Sequence, residues 1–352
     1  MPIKNRLYLL DGLRLLAAIS VVFYHVNLAQ AGFGLFERGY LFVDFFFLLS
    51  GFVLTIAAED RMNASGGALR FLRARVARLW PVIVIGALTG AVVRVILTGQ
   101  SVRMLLVQAM LLLPDIRHGD GYQGLIFPLN GPHWSMMLEV IANLVHALVI
   151  RRLPDRAVLA VAALGGIVLA VTIVLFGSAT FGPDASNWWM GLARVGFSYP
   201  FGVWLARRWK RGQALRAQFP ARLAPRSLAW LMALALPVGV ILTLPLLPVG
   251  TAVGDAVAIV FAFPPLLWLA ASATPPPVAG KWLRAAGLLS FPLYAVHLPI
   301  LQFATGRQPG GAGQVFAIAC CLLAAALMAR IPPLGPIRPL PRLWRRPALP
   351  LR

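Results

Sequence analysis

The sequence predicts an all-α, polytopic membrane protein with about ten transmembrane helices and with both termini in the cytoplasm. Three observations support this prediction: the composition, the repeated apolar stretches and the placement of the cations. Hydrophobic residues make up 59% of the 352 residues and charged residues only 12%, and the mean hydropathy is +0.79. A soluble domain has about 25% charged residues. The chain is therefore expected to lie mostly within a bilayer.

Ten apolar stretches are each long enough to cross a hydrocarbon core. They lie at about residues 8–29, 39–58, 79–98, 134–151, 156–176, 188–206, 228–247, 252–272, 284–304 and 313–331. A further apolar segment, residues 101–113, is too short to cross and is followed by Pro114. We expect this segment to be interfacial or re-entrant.

The cations are concentrated in alternate loops between these spans. If the N-terminus is cytoplasmic, 25 of the 32 lysines and arginines fall in cytoplasmic segments and four in outer loops. The remaining three, Arg14, Arg94 and Arg194, lie within spans. This asymmetry follows the positive-inside rule. It also accounts for the net charge of +21 through contacts with membrane lipids, so no nucleic-acid partner is expected.

The chain divides into a membrane domain, residues 1–331, and a cytoplasmic tail, residues 332–352, that is rich in proline and arginine. Such a tail is expected to be disordered and to lie against anionic lipid. Residues 59–78 are basic and predict a cytoplasmic helix that is broken at residues 65–67, Ser-Gly-Gly. The two cysteines, Cys320 and Cys321, are adjacent, a spacing that predicts neither a disulfide framework nor a metal site.

The first span contains polar residues that are costly in hydrocarbon, namely Asp11, Arg14 and His25. Such residues predict a functional site. Arg14 and His25 are eleven residues apart, which places them on one helical face and separates them by roughly 16 Å along the axis. One face of this helix therefore presents a cation near one membrane surface and an imidazole near the other.

Other spans contribute polar residues at a similar predicted depth. Counting from the span ends places Asp44, Glu139 and His297 in the outer half together with His25, on four different helices. The fourth span also has a polar stripe on one face, formed by Ser135, Glu139, Asn143 and His146. Arg75 and Arg78 join Arg14 on the cytoplasmic side.

This partition predicts acyl transfer across the membrane. An imidazole has a pKa near 6.5, so a histidine beside carboxylates can deprotonate a hydroxyl group at working pH. Arginines on the other side suit phosphate groups, which they bind in bidentate fashion. Coenzyme A has a phosphate-bearing head and a long thin arm that is able to bridge the two groups.

Four stretches then match one family. They are residues 10–25, which contain Leu-Asp-Gly-Leu-Arg and an Arg-x10-His spacing; residues 43–52, Val-Asp-Phe-Phe-Phe-Leu-Leu-Ser-Gly-Phe; residues 75–81, Arg-Val-Ala-Arg-Leu-Trp-Pro; and residues 293–297, Leu-Tyr-Ala-Val-His. Residues 134–139 resemble a fifth motif, Trp-Ser-x-x-x-Glu. With these stretches the sequence resembles the acyltransferase-3 family of integral membrane acyltransferases, many of which O-acetylate bacterial surface glycans.

The resemblance implies a role for each matching residue. His25 is the expected catalytic histidine, as a general base or as a transient acyl carrier, and Glu139 and Asp44 orient it or shape the acceptor pocket. Arg14, Arg75 and Arg78, with Asp11 beside Arg14, would bind the donor. The expected substrate-binding residues are Trp134, Ser135, Tyr294 and His297.

The resemblance also implies the substrates and the location. Acetyl-CoA, or another acyl-CoA, would be the donor co-substrate, without a permanently bound cofactor or metal. The acceptor would be a hydroxyl of an extracytoplasmic or lipid-linked glycan, in the bacterial cytoplasmic (inner) membrane. Glycan-assembly proteins or a second copy of the chain are the expected protein partners.

Several residues have simpler alternatives. In these alternatives, Arg14 pairs only with Asp11, Arg75 and Arg78 are membrane anchors, Asp44 caps a helix, and His297 only packs between helices. Arg94 and Arg194 would line an acceptor cavity or pair with an outer-half carboxylate. His118 and His133 are expected to be solvated residues of an outer loop.

Two other functions fit parts of the sequence. A transporter or exporter of polar or acylated small molecules would use the same charges to line a permeation path. A signalling or scaffolding membrane protein would use the basic loops, although that function leaves the buried polar residues unexplained.

Overall fold

The computed structural model describes residues 7–29, 36–116, 124–216, 229–246, 249–307 and 311–331. Within these ranges the chain is helical, and the one β-type contact they contain is an isolated bridge between Leu125 and Asp184. The all-α prediction is confirmed. The predicted tail, residues 332–352, lies outside the described residues, as does His118.

Twelve α-helices follow one another along the described residues. Their bounds are α1 Tyr8–Ala29, α2 Phe42–Met62, α3 Gly67–Thr98, α4 Arg103–Met110, α5 His133–Leu148, α6 Asp155–Phe176, α7 Gly191–Arg216, α8 Ala229–Thr243, α9 Thr251–Val257, α10 Phe263–Ser272, α11 Pro277–Arg307 and α12 Gly311–Met328. A π-helical turn, Ala258–Ala262, joins α9 to α10, so Thr251–Ser272 forms one continuous span.

Eight helical segments of the described residues are long and apolar enough to cross a membrane. The chain is therefore a multi-pass membrane protein, as predicted. Helices α7 and α8 occupy the two remaining apolar stretches. Ten crossings with cytoplasmic termini stay the topology that the sequence predicts. The short segment at residues 101–113 contains only α4, which has eight residues.

The relative directions of the helices agree with successive spans that cross the membrane in opposite directions. Helices α1 and α11 are parallel, since Tyr8 lies beside Gly280 and His25 beside His297. Helices α2 and α7 are also parallel to each other, since Asp44 pairs with Arg194 and Glu59 with Arg207. The first and ninth predicted spans thus share one direction, and the second and sixth share another.

The predicted break between the second and third spans is present. Helix α2 ends at Met62, α3 begins at Gly67, and Gly66 between them has a φ of +64°. A left-handed backbone of this kind favours glycine. Helix α3 then continues through the basic residues into the apolar span as one helix of 32 residues.

The segment before α5 enters the helix bundle. Asn130 Nδ2 donates to Ala295 O of α11 at 2.6 Å. On α3, a Cβ at Gly90 would overlap the carbonyl oxygen of Leu129, so the close approach of this segment depends on glycine. His133, the first residue of α5, is completely buried. The prediction that His133 is a solvated loop residue is therefore wrong, and α5 begins beside Gly86 of α3 rather than at the end of that helix.

Candidate active site

A cavity lies between α1, α2, α3, α5 and α11. It holds about 760 Å³ of empty space, its open mouth included. Its charged lining consists of three arginines, Arg14, Arg75 and Arg78, and one carboxylate, Glu139. The predicted donor-binding arginines thus share one cavity, which we call the arginine cavity.

Glu139 is held against these arginines. Arg75 Nη2 donates to Glu139 Oε1 at 3.0 Å, and Ser50 Oγ donates to the same oxygen at 3.0 Å. The predicted grouping of Glu139 with His25 is not what the structure shows. The reason is the inward position of α5: because its first turn is already inside the bundle, Glu139 reaches the level of Arg75.

Arg14 faces the arginine cavity and also lies near Asp11. Arg14 Nη1 is 3.7 Å from Asp11 Oδ1, and about a quarter (24%) of the Arg14 side chain remains exposed. Asp11 itself is packed against Gly287 of α11. Pairing with Asp11 and exposure to the cavity therefore occur together in this structure.

His25 and His297 form a pair. His297 Nε2 lies 3.2 Å from His25 Nδ1, and the two ring centroids are 4.9 Å apart. His297 is completely buried, whereas His25 is partly buried. The parallel packing of α1 against α11 brings these two predicted site residues together, although neither lines the arginine cavity.

The carbonyl groups beside this pair determine its neutral tautomers, because a carbonyl oxygen only accepts hydrogen bonds. His25 Nδ1 donates to Val21 O at 2.9 Å, and His297 Nδ1 donates to Tyr294 O at 2.8 Å. Neutral His25 therefore has its lone pair on Nε2. Neutral His297 has its lone pair on Nε2, so the one Nδ1–H of His25 is shared between this nitrogen and Val21 O.

Tyr294 connects the histidine pair to the arginine cavity. Its ring centroid is 5.7 Å from that of His297, and its hydroxyl lies 2.6 Å from Ser135 Oγ. Tyr294 and Ser135 both line the cavity. Two of the four predicted substrate-binding residues are therefore between the histidines and the arginines.

Asp44 lies in a separate, fully buried cluster around Arg194. Arg194 donates to Asp44 Oδ2 through Nε at 3.0 Å and through Nη2 at 2.6 Å. It also donates to the carbonyl oxygens of Tyr40 and Phe181 at 2.9 and 3.1 Å. The structure does not bring Asp44 to His25. The alternative that Arg194 pairs with a carboxylate on another span is confirmed.

Trp134 belongs to the same cluster. Its ring lies 5.3 Å from Arg194 Cζ, a distance suited to a cation–π contact. Trp134 does not line the arginine cavity. The structure therefore divides the predicted site residues between the cavity, the histidine pair and this buried cluster.

Sequence reasoning missed a second buried carboxylate, Asp255. It accepts hydrogen bonds from the Tyr40 hydroxyl at 2.7 Å, from Ala179 N at 2.9 Å and from Arg38 at 3.3 Å. The signal was present, since Asp255 is a lone charge inside the apolar stretch 252–272.

A further buried network lies toward the C-terminal end of α5, where the predicted polar stripe contains Asn143 and His146 but did not identify their partners. Glu59 pairs with Arg207 and lies 3.6 Å from His146 Nε2. Tyr199 Oη lies 3.0 Å from His146 Nδ1 and donates to Asn143 Oδ1 at 3.2 Å. The lower half of the polar stripe on α5 therefore contacts α2 and α7 rather than the arginine cavity.

Comparison with known proteins identifies a family that this chain matches. The model of a family described as "Acyltransferase domain" matches residues 7–330. No solved structure matches the chain.

Among curated proteins, the chain is 31% identical over 209 residues to Acyltransferase MdmB of Streptomyces mycarofaciens, an alignment covering 53% of this chain and 50% of that protein. It is 33% identical over 193 residues to Protein 2 in picA locus of Rhizobium radiobacter, covering 49% of this chain and 97% of that protein. It is 37% identical over 76 residues to Peptidoglycan O-acetyltransferase OatA of Listeria monocytogenes, covering 21% of this chain and 11% of that protein. The chain thus spans about half the length of MdmB.

The Arg194 cluster predicts that Asp44→Ala is strongly destabilising. The substitution leaves a buried guanidinium without its carboxylate, which typically costs about 3–5 kcal/mol. Unfolding in detergent would measure this loss. The control is Asp60→Ala, which removes an exposed pair with Lys210 and should cost less than about 1 kcal/mol.

The double variant Asp44→Leu/Arg194→Met should recover part of the lost stability, because it removes both buried charges. If Asp44→Ala left stability unchanged and lowered only activity, Asp44 would instead belong to the catalytic machinery.

Proposed function

We propose that this chain transfers an acyl group from acyl-CoA to a hydroxyl group, because it belongs to the acyltransferase-3 family, whose model matches residues 7–330. The observation that supports this proposal best is the arginine cavity, which lies beside a histidine pair that has a free lone pair on His25 Nε2. A phosphate-bearing donor requires a cationic site such as the arginine cavity, and deprotonation of an acceptor hydroxyl requires a base such as His25.

The arginine cavity suits the donor by charge. Three arginines line it against one carboxylate, and that carboxylate already accepts from Arg75. The excess of positive charge favours an anion, and guanidinium groups bind phosphate oxygens in bidentate fashion. We assign Arg14, Arg75 and Arg78 to the phosphates of acyl-CoA, and Asp11 and Glu139 to positioning Arg14 and Arg75.

The histidine pair suits the chemistry. His25 Nε2 would take the proton of the acceptor hydroxyl as its oxygen attacks the thioester carbonyl carbon. The C–O bond forms, the C–S bond breaks, and the thiolate of CoA leaves with the proton returned from His25. While His25 holds the proton, Val21 O and the lone pair of His297 Nε2 would share its Nδ1–H and stabilise the imidazolium.

Tyr294 and Ser135 lie on the path between the two sites and are assigned to substrate contact. The separation of Arg14 and His25 along α1, roughly 16 Å by helical rise, matches a donor whose head and thioester are far apart. The donor would then enter from the side of the arginines, the predicted cytoplasmic side, and the acceptor would lie toward the other.

The relatives suggest the groups transferred. One is named as an acyltransferase and another as a peptidoglycan O-acetyltransferase. We propose acetyl as the acyl group and a glycan or lipid-linked glycan as the acceptor, in the cytoplasmic membrane of a bacterium.

His25→Ala should lower the rate of transfer by about 10²–10⁴-fold, the usual contribution of a general base. The assay follows radiolabel from acetyl-CoA to acceptor in vesicles. Binding of acetyl-CoA and the thermal stability of the protein should change little. Transfer at the wild-type rate would overturn the assignment of His25, and movement of unmodified solute without use of acetyl-CoA would indicate a transporter.

Arg78→Ala should weaken acyl-CoA binding by roughly 10- to 100-fold, the effect of losing a charge-assisted hydrogen bond. Arg78→Lys should restore only part of the affinity, because lysine does not bind phosphate in bidentate fashion. The matched control is Arg73→Ala, an exposed arginine of the same helix that does not line the cavity. Equal losses of acyl-CoA affinity in both alanine variants would show that Arg78 contributes only general positive charge.

A further inference from the structure

A proline interrupts the hydrogen bonding of α11 beside the histidine pair. Pro299 has no backbone N–H, so the carbonyl oxygen of Ala295, four residues earlier, has no donor at its usual place in the helix. Ala295 is completely buried and lies between Tyr294 and His297. An unpaired carbonyl away from water is costly. This turn of α11 therefore needs a donor from outside the helix.

Asn130 supplies that donor. Its Nδ2 donates to Ala295 O at 2.6 Å, and the residue is only 1% exposed. The same Nδ2 lies 3.3 Å from His133 Nε2. An amide nitrogen carries two hydrogens, so one serves the carbonyl oxygen and the other faces the lone pair of a neutral His133. The Asn130 amide thus links the segment before α5 to α11.

This link also depends on α3. A Cβ at Gly86 would lie 2.6 Å from Ala295 O and 3.0 Å from Asn130 Nδ2. The first distance is too short for a real side chain, so the hydrogen bond requires glycine at this position. Three elements, α3, α11 and the segment before α5, are therefore held together at the Ala295 carbonyl.

The turn that is held in this way carries two of the predicted site residues. His297 Nδ1 donates to Tyr294 O at 2.8 Å, and His297 Nε2 lies 3.2 Å from His25 Nδ1. The Tyr294 hydroxyl lies 2.6 Å from Ser135 Oγ. A proline bends a helix and changes the direction of the residues around it. The alignment of His297 with His25 therefore depends on how this turn is fixed.

Stability alone does not account for the arrangement. An alanine at position 299 would provide the missing N–H within α11, and an apolar side chain could then replace Asn130. Instead, Asn130 Oδ1 and His133 Nδ1 are buried without a protein partner among the described residues. A purely structural solution would avoid this cost. The bend and its external donor are better explained by the position that they give to His297.

We propose that Asn130 is a positioning residue for acyl transfer. Its hydrogen bond to the carbonyl that Pro299 leaves unpaired fixes the turn of α11, and thereby the alignment of His297 with His25. This inference rests on the proposed function for the role of the histidine pair. Asn130 acts through α11, and it does not line the arginine cavity.

Asn130→Ala removes the donor and should lower kcat for acetyl transfer by roughly 10- to 100-fold, the effect of a small misplacement of reacting groups. The radiolabel assay in vesicles measures this loss. The KM for acetyl-CoA should change little, because the arginine cavity keeps its lining. The Tm should fall by about 2–4 °C through the lost hydrogen bond.

Asn187→Ala is the matched control. Asn187 is also buried, and its amide Oδ1 accepts from a backbone group, Gly182 N, at 2.8 Å. This variant should lower the Tm by a similar amount and leave kcat unchanged. Equal losses of kcat in Asn130→Ala and Asn187→Ala would overturn the proposal, because both would then follow from lost stability.

The double variant Asn130→Ala/Pro299→Ala separates positioning from stability. Alanine at position 299 lets α11 pair the Ala295 carbonyl by itself, so the Tm should return toward that of the wild type. The bend is lost, so kcat should stay low. Recovery of kcat together with the Tm would overturn the proposal. This variant keeps the test decisive if Asn130→Ala alone does not fold.

A spectroscopic measurement separates this proposal from the proposed function. The chain has five histidines, so ¹⁵N-histidine NMR spectra of the full chain in lipid can be assigned for His25 and His297 from their alanine variants. Asn130→Ala should shift both imidazole resonances, and Asn187→Ala neither. These shifts in a protein that transfers no acetyl group would contradict only the proposed function. Transfer by the wild type, with either kcat or both resonances unchanged in Asn130→Ala, would contradict only the positioning role.

Discussion

A bilayer offers no water to a buried charge, and this constraint organises the polar interior of the protein. Carboxylate–arginine pairs join helices or neighbouring segments, among them Asp44 with Arg194, Asp255 with Arg38, Glu59 with Arg207 and Glu139 with Arg75. The first three are supported by backbone carbonyls or hydroxyls and lie away from the arginine cavity. The fourth lies at the cavity surface, where two further arginines leave positive charge in excess.

That excess explains why this one pair is suited to function and the others to structure. A pair whose partners are fully buried, such as Asp44 and Arg194, has no capacity for a ligand and instead links α2 to α7. At the arginine cavity, an incoming phosphate group would meet three guanidinium groups and one carboxylate in the lining. The parallel packing of α1 and α11 then places a histidine pair farther along the same helix, so the proposed donor site and the proposed base occupy two levels of one helix pair.

The sequence predicted the parts of the site that depend on a single helix. The common face of Arg14 and His25, the two arginines one turn apart on α3, and the polar stripe on α5 all follow from helical periodicity. Partners were less predictable. The estimated depth of Glu139 assumed that its preceding loop stays at the surface, whereas glycines on α3 let that loop enter the bundle. The sequence groups Asp44 with His25 because both lie near one end of their spans. In the structure, Asp44 instead pairs with Arg194, whose long side chain extends to it from α7.

The central claim is that the arginine cavity and the histidine pair serve one reaction, with the donor entering at the arginines. Sealed vesicles in which every molecule has one orientation test this most directly. The orientation is established by protease access to Arg61 and Arg70, which flank the loop between α2 and α3. The account predicts acyl transfer only when acyl-CoA is supplied on the side of that loop, which lies at the Arg75 end of α3. Equal transfer with acyl-CoA supplied on the opposite side alone would contradict it.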